Sequence, residues 1–211
     1  MGTERSDAGS TREHWERIYS SHPDRELSWF EPVPSISLDL LLTPSLKKDA
    51  AILDVGGGSS RLPDALLDRE FTNVTVLDIA DSALQVSRAR LGDRASRVRW
   101  IAADILDWEP DNPYNAWHDR AVFHFLLEEH ARRAYVAAME RCLLPGSLVV
   151  IGTFSTLGPE RCSGLPVQRY SAQSLAAELG DGFRWTATRK LEHTTPSGSM
   201  QHFQFSRFVR E

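Results

Sequence analysis

Cysteine is scarce in this sequence. The 211 residues hold two, Cys142 and Cys162, with no Cys-x-x-Cys pair and no Cys/His spacing of a zinc site. A disulfide-dense secreted scaffold and a structural zinc module are thereby excluded, and no metal site is expected. A basic block is also missing. Lysine and arginine total 24 against 29 acids, a formal net charge of −5, which is a poor basis for gripping nucleic acid by its phosphates. No apolar run approaches the roughly 18 to 20 residues of a membrane span. The start, Met1 to Ser10, is polar and has no signal-peptide core, so the expected address is the cytoplasm. Internal repeats, low-complexity tracts and domain-separating linkers are absent too. What is there suits one ordinary domain. Hydrophobic residues make up 41% and charged residues 25%, enough apolar material for a core without staples.

Along the chain, residues 1–10 read as a disordered polar tail, and 11–211 as a single domain with three parts. The first part, 11–48, is helical. Ser10 and Glu13 have capping-box spacing, and Trp15, Ile18 and Tyr19 follow at helical intervals. Leu27-Ser28-Trp29-Phe30 is aromatic and closed by Pro32 and Pro34, and a second helix is expected from Ser35 with Ile36, Leu40 and Leu41 inward. In the second part, 49–155, strands alternate with helices. Strands are expected at 51–55, 73–77, 98–102, 116–122 and 147–154, with Asp81 capping the helix after the second. The helix before the fifth strand should stop at Pro145-Gly146. This rhythm argues for an α/β fold, a parallel sheet covered on both faces. The third part, 156–211, holds a long loop, a helix at 171–179 and a closing hairpin. In that hairpin Phe183, Trp185, Ala187 and Leu191 point inward, opposite Phe203, Phe205 and Val209.

The chemistry gathers where the strands end. Ligands of open α/β sheets bind beyond the carboxyl ends of the strands. The first strand delivers Asp54-Val55-Gly56-Gly57-Gly58-Ser59-Ser60 there, and glycines let a ligand approach backbone without a Cβ in the way. Asp78 ends the second strand 20 residues after Gly58, where a carboxylate can accept from both hydroxyls of an adenosine ribose. Asp104 ends the third and can accept from an exocyclic adenine amine, with Ile79 and Ile105 placed to sandwich the base.

These residues resemble the class I S-adenosylmethionine-dependent methyltransferases. Ile52 to Gly58 is similar to the family's first motif, Asp78 to its ribose acid, and Ala103-Asp104-Ile105 to its adenine motif. Leu143-Leu144-Pro145-Gly146-Ser147 is similar to the turn before its fifth strand, with Ser147 where a second glycine is usual. The resemblance implies a Rossmann-like seven-stranded sheet of order 3-2-1-4-5-7-6, strand 7 antiparallel. It also implies S-adenosylmethionine as cofactor and S-adenosylhomocysteine as product. Trp15, Tyr19, Ser28-Trp29-Phe30 and Gly58-Ser59-Ser60 resemble the subgroup holding the lysine methyltransferases of elongation factor 1-alpha and citrate synthase, as does Trp117 to His124.

Such an enzyme mainly aligns its reactants and excludes water, and needs a general base only for a protonated acceptor. His124, just past the fourth strand, is the candidate base, set against a structural histidine. Asp119 and Arg120 are candidates for the amino acid end of the cofactor, or for an internal ion pair. Trp15, Tyr19, Trp29 and Phe30 are candidates for a lid over the cofactor, with core packing as the plain alternative. Phe123, Tyr170, Cys162 and His193 are placed around the acceptor, Cys162 without a nucleophilic role. A nicotinamide-dependent oxidoreductase is disfavoured, because Arg61 stands where its fingerprint needs a third glycine. The retained acids Asp54, Asp78 and Asp104 argue against a non-catalytic relic. The acceptor is expected to be a small molecule, with a protein lysine as the alternative, and the enzyme a monomer or homodimer.

Overall fold

The computed structural model describes the chain from Arg5, and its side chains from Thr11, to Glu211. Seven strands make one sheet: β1 (Ile52–Val55), β2 (Val74–Asp78), β3 (Val98–Ala102), β4 (Tyr114–Arg120), β5 (Leu143–Phe154), β8 (Phe183–Thr194) and β9 (Met200–Arg210). Two short strands, β6 (Arg161–Cys162) and β7 (Leu165–Pro166), form a separate ribbon inside the expected long loop. The sheet order is β3-β2-β1-β4-β5-β9-β8. Counting main-sheet strands alone, this is 3-2-1-4-5-7-6. The first five run parallel, and β9 pairs antiparallel with both β5 and β8.

Alternation along each strand divides the core in two. Ile52, Val74, Val76, Ala116 and Val150 face α2 (Ser35–Leu41), α3 (Leu62–Leu67) and α4 (Asp81–Leu91). Leu53, Val55, Trp117, Val149 and Ile151 face α5 (Glu129–Cys142) and α6 (Ala172–Leu179). Strands buried on both faces explain why β1 reads as an unbroken apolar run.

Several local expectations give way to tertiary contacts. Of the expected tail, residues 1–4 lie outside the described residues, whereas 5–10 already belong to helix α1 (Arg5–Ser21). Ser10 therefore stands within the helix and is no N-cap. Asp81 is the first residue of α4 and makes no cap bond. The orphan amides of Asp81 and Ser82 donate instead to Glu16 of α1, at 2.7 and 3.1 Å. The helix before β5 ends at Cys142, and the strand begins at once, with Leu144 to Ser147 bulging between the Tyr114–Leu143 and Ala116–Leu148 pairs. In the hairpin a second bulge between Trp185 and Ala187 turns Trp185 outward, 40% exposed, against the expected inward position.

Candidate functional site

The loop after β1 is held in place from below. The amides of Gly56 and Gly57 donate to the Leu77 carbonyl, at 2.7 and 3.3 Å. Gly56 and Gly58 take positive φ, +62° and +37°, the region that glycine enters without strain. A Cβ on Gly56 would stand 2.0 Å from Val122 Cγ2, and one on Gly57 2.6 Å from Asp54 Oδ2. One on Gly58 would stand 2.9 Å from both Asp78 Oδ2 and the Tyr19 hydroxyl. A side chain at any of the three would force Val122, Asp54, Asp78 or Tyr19 to move.

Asp78 is buried at the end of β2. Its Oδ1 accepts from the Ala80 amide at 2.9 Å. Burial raises its pKa to about 7, helped by the Asp54 charge, although amide donors from Ala80 and Gly58 pull the other way. The Tyr19 hydroxyl approaches from α1, which is tied down by Arg12 donating to the Ile79 carbonyl at 2.7 Å. Asp104 is half-buried and accepts from the Leu106 amide at 2.9 Å. Ile79 is half-buried, and Ile105 belongs to the core on the α5 face.

Beneath the cradle runs a buried chain of polar side chains. Asp54 Oδ1 meets His118 Nδ1 at 2.7 Å, and His118 Nε2 meets the Ser37 hydroxyl at 2.8 Å. Asp54 Oδ2, under Gly57, has no partner. Neither His118 nor Ser37 was expected at the site. The available signal was a polar residue in the middle of a buried strand, which needs a partner. Parallel register sets Asp54 beside His118.

These residues surround a narrow cavity of about 40 Å³, walled by Tyr19, Trp29, Phe30, Ser37, Asp54, Gly56, Gly57, His118 and Arg120. Trp15 does not line it but packs edge-on against Trp29 and Phe125, at 5.9 and 5.2 Å between ring centres. The segment before α2 is anchored at three points. Trp29 O accepts from Arg120, Ser28 O meets His193 Nε2 at 2.8 Å, and Asp24 pairs with Arg61 at 2.7 Å.

Four expectations are corrected. Asp119 is fully buried toward α5, where its carboxylate accepts from the amides of Val122 and Phe123 and the Tyr135 hydroxyl, at 2.9, 3.0 and 2.5 Å. Strand alternation sends it to the face opposite His118 and Arg120, so it cannot reach a cofactor in the cavity. His124 lies in a 3-10 turn (Phe123–Phe125), fully buried against Phe125 and Phe154. Its Nδ1 accepts from the Phe154 amide at 3.3 Å, and burial lowers its pKa to about 3. A neutral, enclosed imidazole of such low basicity is no general base at neutral pH. Phe123 and Tyr170 pack together in the α5-face core, 5.5 Å between ring centres and tilted by 49°, rather than facing an acceptor. Cys162, by contrast, is buried near Arg120, with burial raising its thiol to about 11. His193 also lies on that side, its pKa lowered by burial. Among the described residues there is no cluster of three metal-binding side chains, and no helix is long and apolar enough to cross a membrane.

Residues 52–146 match the family described as Methyltransferase domain. The ubiquinone/menaquinone biosynthesis C-methyltransferase UbiE of Methylobacterium nodulans is 35% identical over 119 residues, covering 54% of this chain and 46% of that protein. The N-terminal Xaa-Pro-Lys N-methyltransferase 1 of Xenopus tropicalis is 30% identical over 104 residues, 47% of this chain and 45% of that one. The chain thus matches about half the length of these curated relatives. Among solved structures, the 1,6-didemethyltoxoflavin-N1-methyltransferase of Burkholderia thailandensis, with 1,6-didemethyltoxoflavin and S-adenosylhomocysteine bound, has a TM-score of 0.67 at 19% identity, covering 98% of this chain and 86% of that one. Residues 52–146 thus resemble a methyltransferase domain, and the sheet around them has the strand order expected of the class I S-adenosylmethionine-dependent methyltransferases.

Proposed function

We propose that this protein moves a methyl group from S-adenosylmethionine to a small-molecule acceptor. The observation that carries the reading is the cradle of Gly56, Gly57 and Gly58 flanked by two buried acids, Asp54, whose Oδ2 has no partner, and Asp78 at the end of the neighbouring strand. The residues fit the cofactor. Bare backbone admits its methionine portion, unpartnered Asp54 Oδ2 suits an ammonium, and Asp78 at the end of β2 suits a ribose diol. Asp104 remains the candidate for adenine, with Ile79 and Ile105.

When bound, S-adenosylmethionine supplies a methyl carbon activated by a sulfonium leaving group. The chain's own part is to bind, orient and exclude water. His118 and Ser37 hold Asp54 in one orientation. Tyr19, Trp29 and Phe30 cover the cradle, and their aromatic faces suit a sulfonium. A cavity of about 40 Å³ is room for little more than water, so α1 and the 27–34 segment must lift to admit a nucleoside and close again behind it. Trp15, packed behind Trp29, moves with this lid.

With His124 enclosed and Asp119 turned away, no base is invoked at those positions. The acceptor then enters already deprotonated, or loses its proton to solvent or to the Glu31 carboxylate on the cavity wall. Enclosure by aromatic residues favours a small molecule. Likeness to an enzyme named for methylating protein N-termini supports a protein amine as the second reading. Calorimetric titration with S-adenosylhomocysteine and with NADH, then methyl transfer from labelled cofactor to metabolite and peptide pools, tests the proposal. Binding of NADH in place of S-adenosylhomocysteine would overturn it.

A further inference from the structure

Arg120 is left incompletely used. It ends β4 on the same face as His118, and its side chain is only 14% exposed. A guanidinium carries five N–H donors. Nη1 donates to the Trp29 carbonyl at 2.7 Å, and Glu31 Oε2 lies 3.8 Å away, an ion pair without a hydrogen bond. Nε and Nη2 are both buried without a partner. Burying a cation with unmet donors is unfavourable, so a fold that keeps one there has a use for it or leaves stability unclaimed. The anchoring of Trp29 explains Nη1 and nothing more.

The two unpartnered nitrogens are adjacent. Nε–H and Nη2–H form the side edge of the guanidinium, whose parallel donors match the two oxygens of a carboxylate. The plane itself is fixed by packing, 5.2 Å above the centre of the Phe203 ring. Position narrows the choice of ligand. Asp104, Asp78 and the glycine cradle succeed one another along β3, β2 and β1, and β4 comes next. Arg120 extends onward toward β9, which carries Phe203. In a displacement at the methyl carbon the attacking atom stands beyond that carbon, on the side opposite the sulfur.

We infer that Arg120 receives a planar acidic group, a carboxylate, on the methyl acceptor, so that the substrate class is an organic acid with an aromatic or apolar body. This rests on the methyl-transfer reading above. Tyr19, Trp29 and Phe30 supply the walls for such a body. An acid on the cofactor itself is the competing source of the same chemistry, and affinity for S-adenosylhomocysteine separates the two.

The test titrates benzoate and its neutral isostere benzamide into the full chain saturated with S-adenosylhomocysteine. Benzoate is expected to bind at least about tenfold more tightly than benzamide. Arg120→Met should erase that preference, and Arg120→Lys, which keeps the charge but not the fork, should retain part of it. In Arg120→Lys, whose ammonium can still donate to the Trp29 carbonyl, S-adenosylhomocysteine affinity should stay within about threefold of the parent. Equal binding of the two probes, or binding of neither, overturns the inference. A fall of about tenfold or more in S-adenosylhomocysteine affinity in folded Arg120→Lys reassigns the guanidinium to the cofactor and also overturns it. If the parent chain binds no S-adenosylhomocysteine, the cofactor reading itself fails, and the inference falls with it.

Discussion

Asp78 connects cofactor binding to pH in a way that can be worked out in advance. Burial raises its pKa to about 7 in the protein alone, with Asp54 adding to the effect. Near neutrality about half the molecules therefore carry a protonated Asp78. A ribose diol donates to the ionised form, so binding must remove that proton, and affinity rises as pH rises through 7. The ionised fraction is roughly 0.1 at pH 6 and roughly 0.9 at pH 8, so the association constant for S-adenosylhomocysteine should climb about tenfold, or ~1.4 kcal/mol. At pH 7 about half a proton should leave per ligand bound. Calorimetry in two buffers of different ionisation enthalpy measures the proton directly. Asp78→Asn keeps the shape, loses the charge and the slope together, and should weaken binding by about 2 to 4 kcal/mol, 30- to 1000-fold. Affinity that stays flat from pH 6 to 8, with the same heat in both buffers, would refute both the ribose assignment and the raised pKa of Asp78.

The same groups act on folding, with opposite signs. Asp78 and Asp119, raised to about 7 and about 6, contribute stability that is full below about pH 4 and lost as pH rises through those values. His124, lowered to about 3, works the other way: the unfolded chain takes up its proton near pH 6.5, so acidification below that point destabilises the fold. His124→Ala should cost about 2 to 4 kcal/mol in denaturant unfolding while S-adenosylhomocysteine affinity stays nearly unchanged; a stable variant that has lost turnover would restore the base. Tyr135→Phe removes bonds to Asp119 and Trp117 and should lower stability by about 1 to 2 kcal/mol, a loss that calorimetric melting would show or disprove. Glu16→Ala uncaps α4 and should cost about 1 kcal/mol and loosen α1, read as faster amide exchange at Asp81 and Ser82. Deleting residues 1–30 should leave a folded sheet that binds S-adenosylhomocysteine weakly; outright unfolding would make Trp15, Tyr19 and Trp29 core rather than lid.

Much of the site was legible because its signals are local. An apolar run of strand length, a glycine cluster after it and an acid at the end of each following strand are set by neighbours in the chain, since a parallel sheet presents all its carboxyl ends at one edge. Asp54, Gly56, Gly57, Gly58 and Asp78 stand where those signals put them. The closing hairpin was legible for the same reason, up to the bulge that turns Trp185 outward.

The remaining decisions belong to tertiary structure, because each depends on which partner arrives. Asp119 and Arg120 are adjacent charged residues on one strand, and composition does not say which faces the cavity. Register does: with Asp54 beside His118, alternation sends Arg120 to the lid and Asp119 to Tyr135. His124 follows the strand in the place expected of a base, but a 3-10 turn tucks it beneath β5, where burial lowers its basicity. Asp81 has the right residue type and place for a cap, yet Glu16, 65 residues earlier, takes the amides. The sequence by itself determined the sheet, its cradle and the acids at its edge. Only packing decided which polar side chains reach the cavity and which are spent holding the fold, because a side chain's protonation and direction follow from what is packed around it.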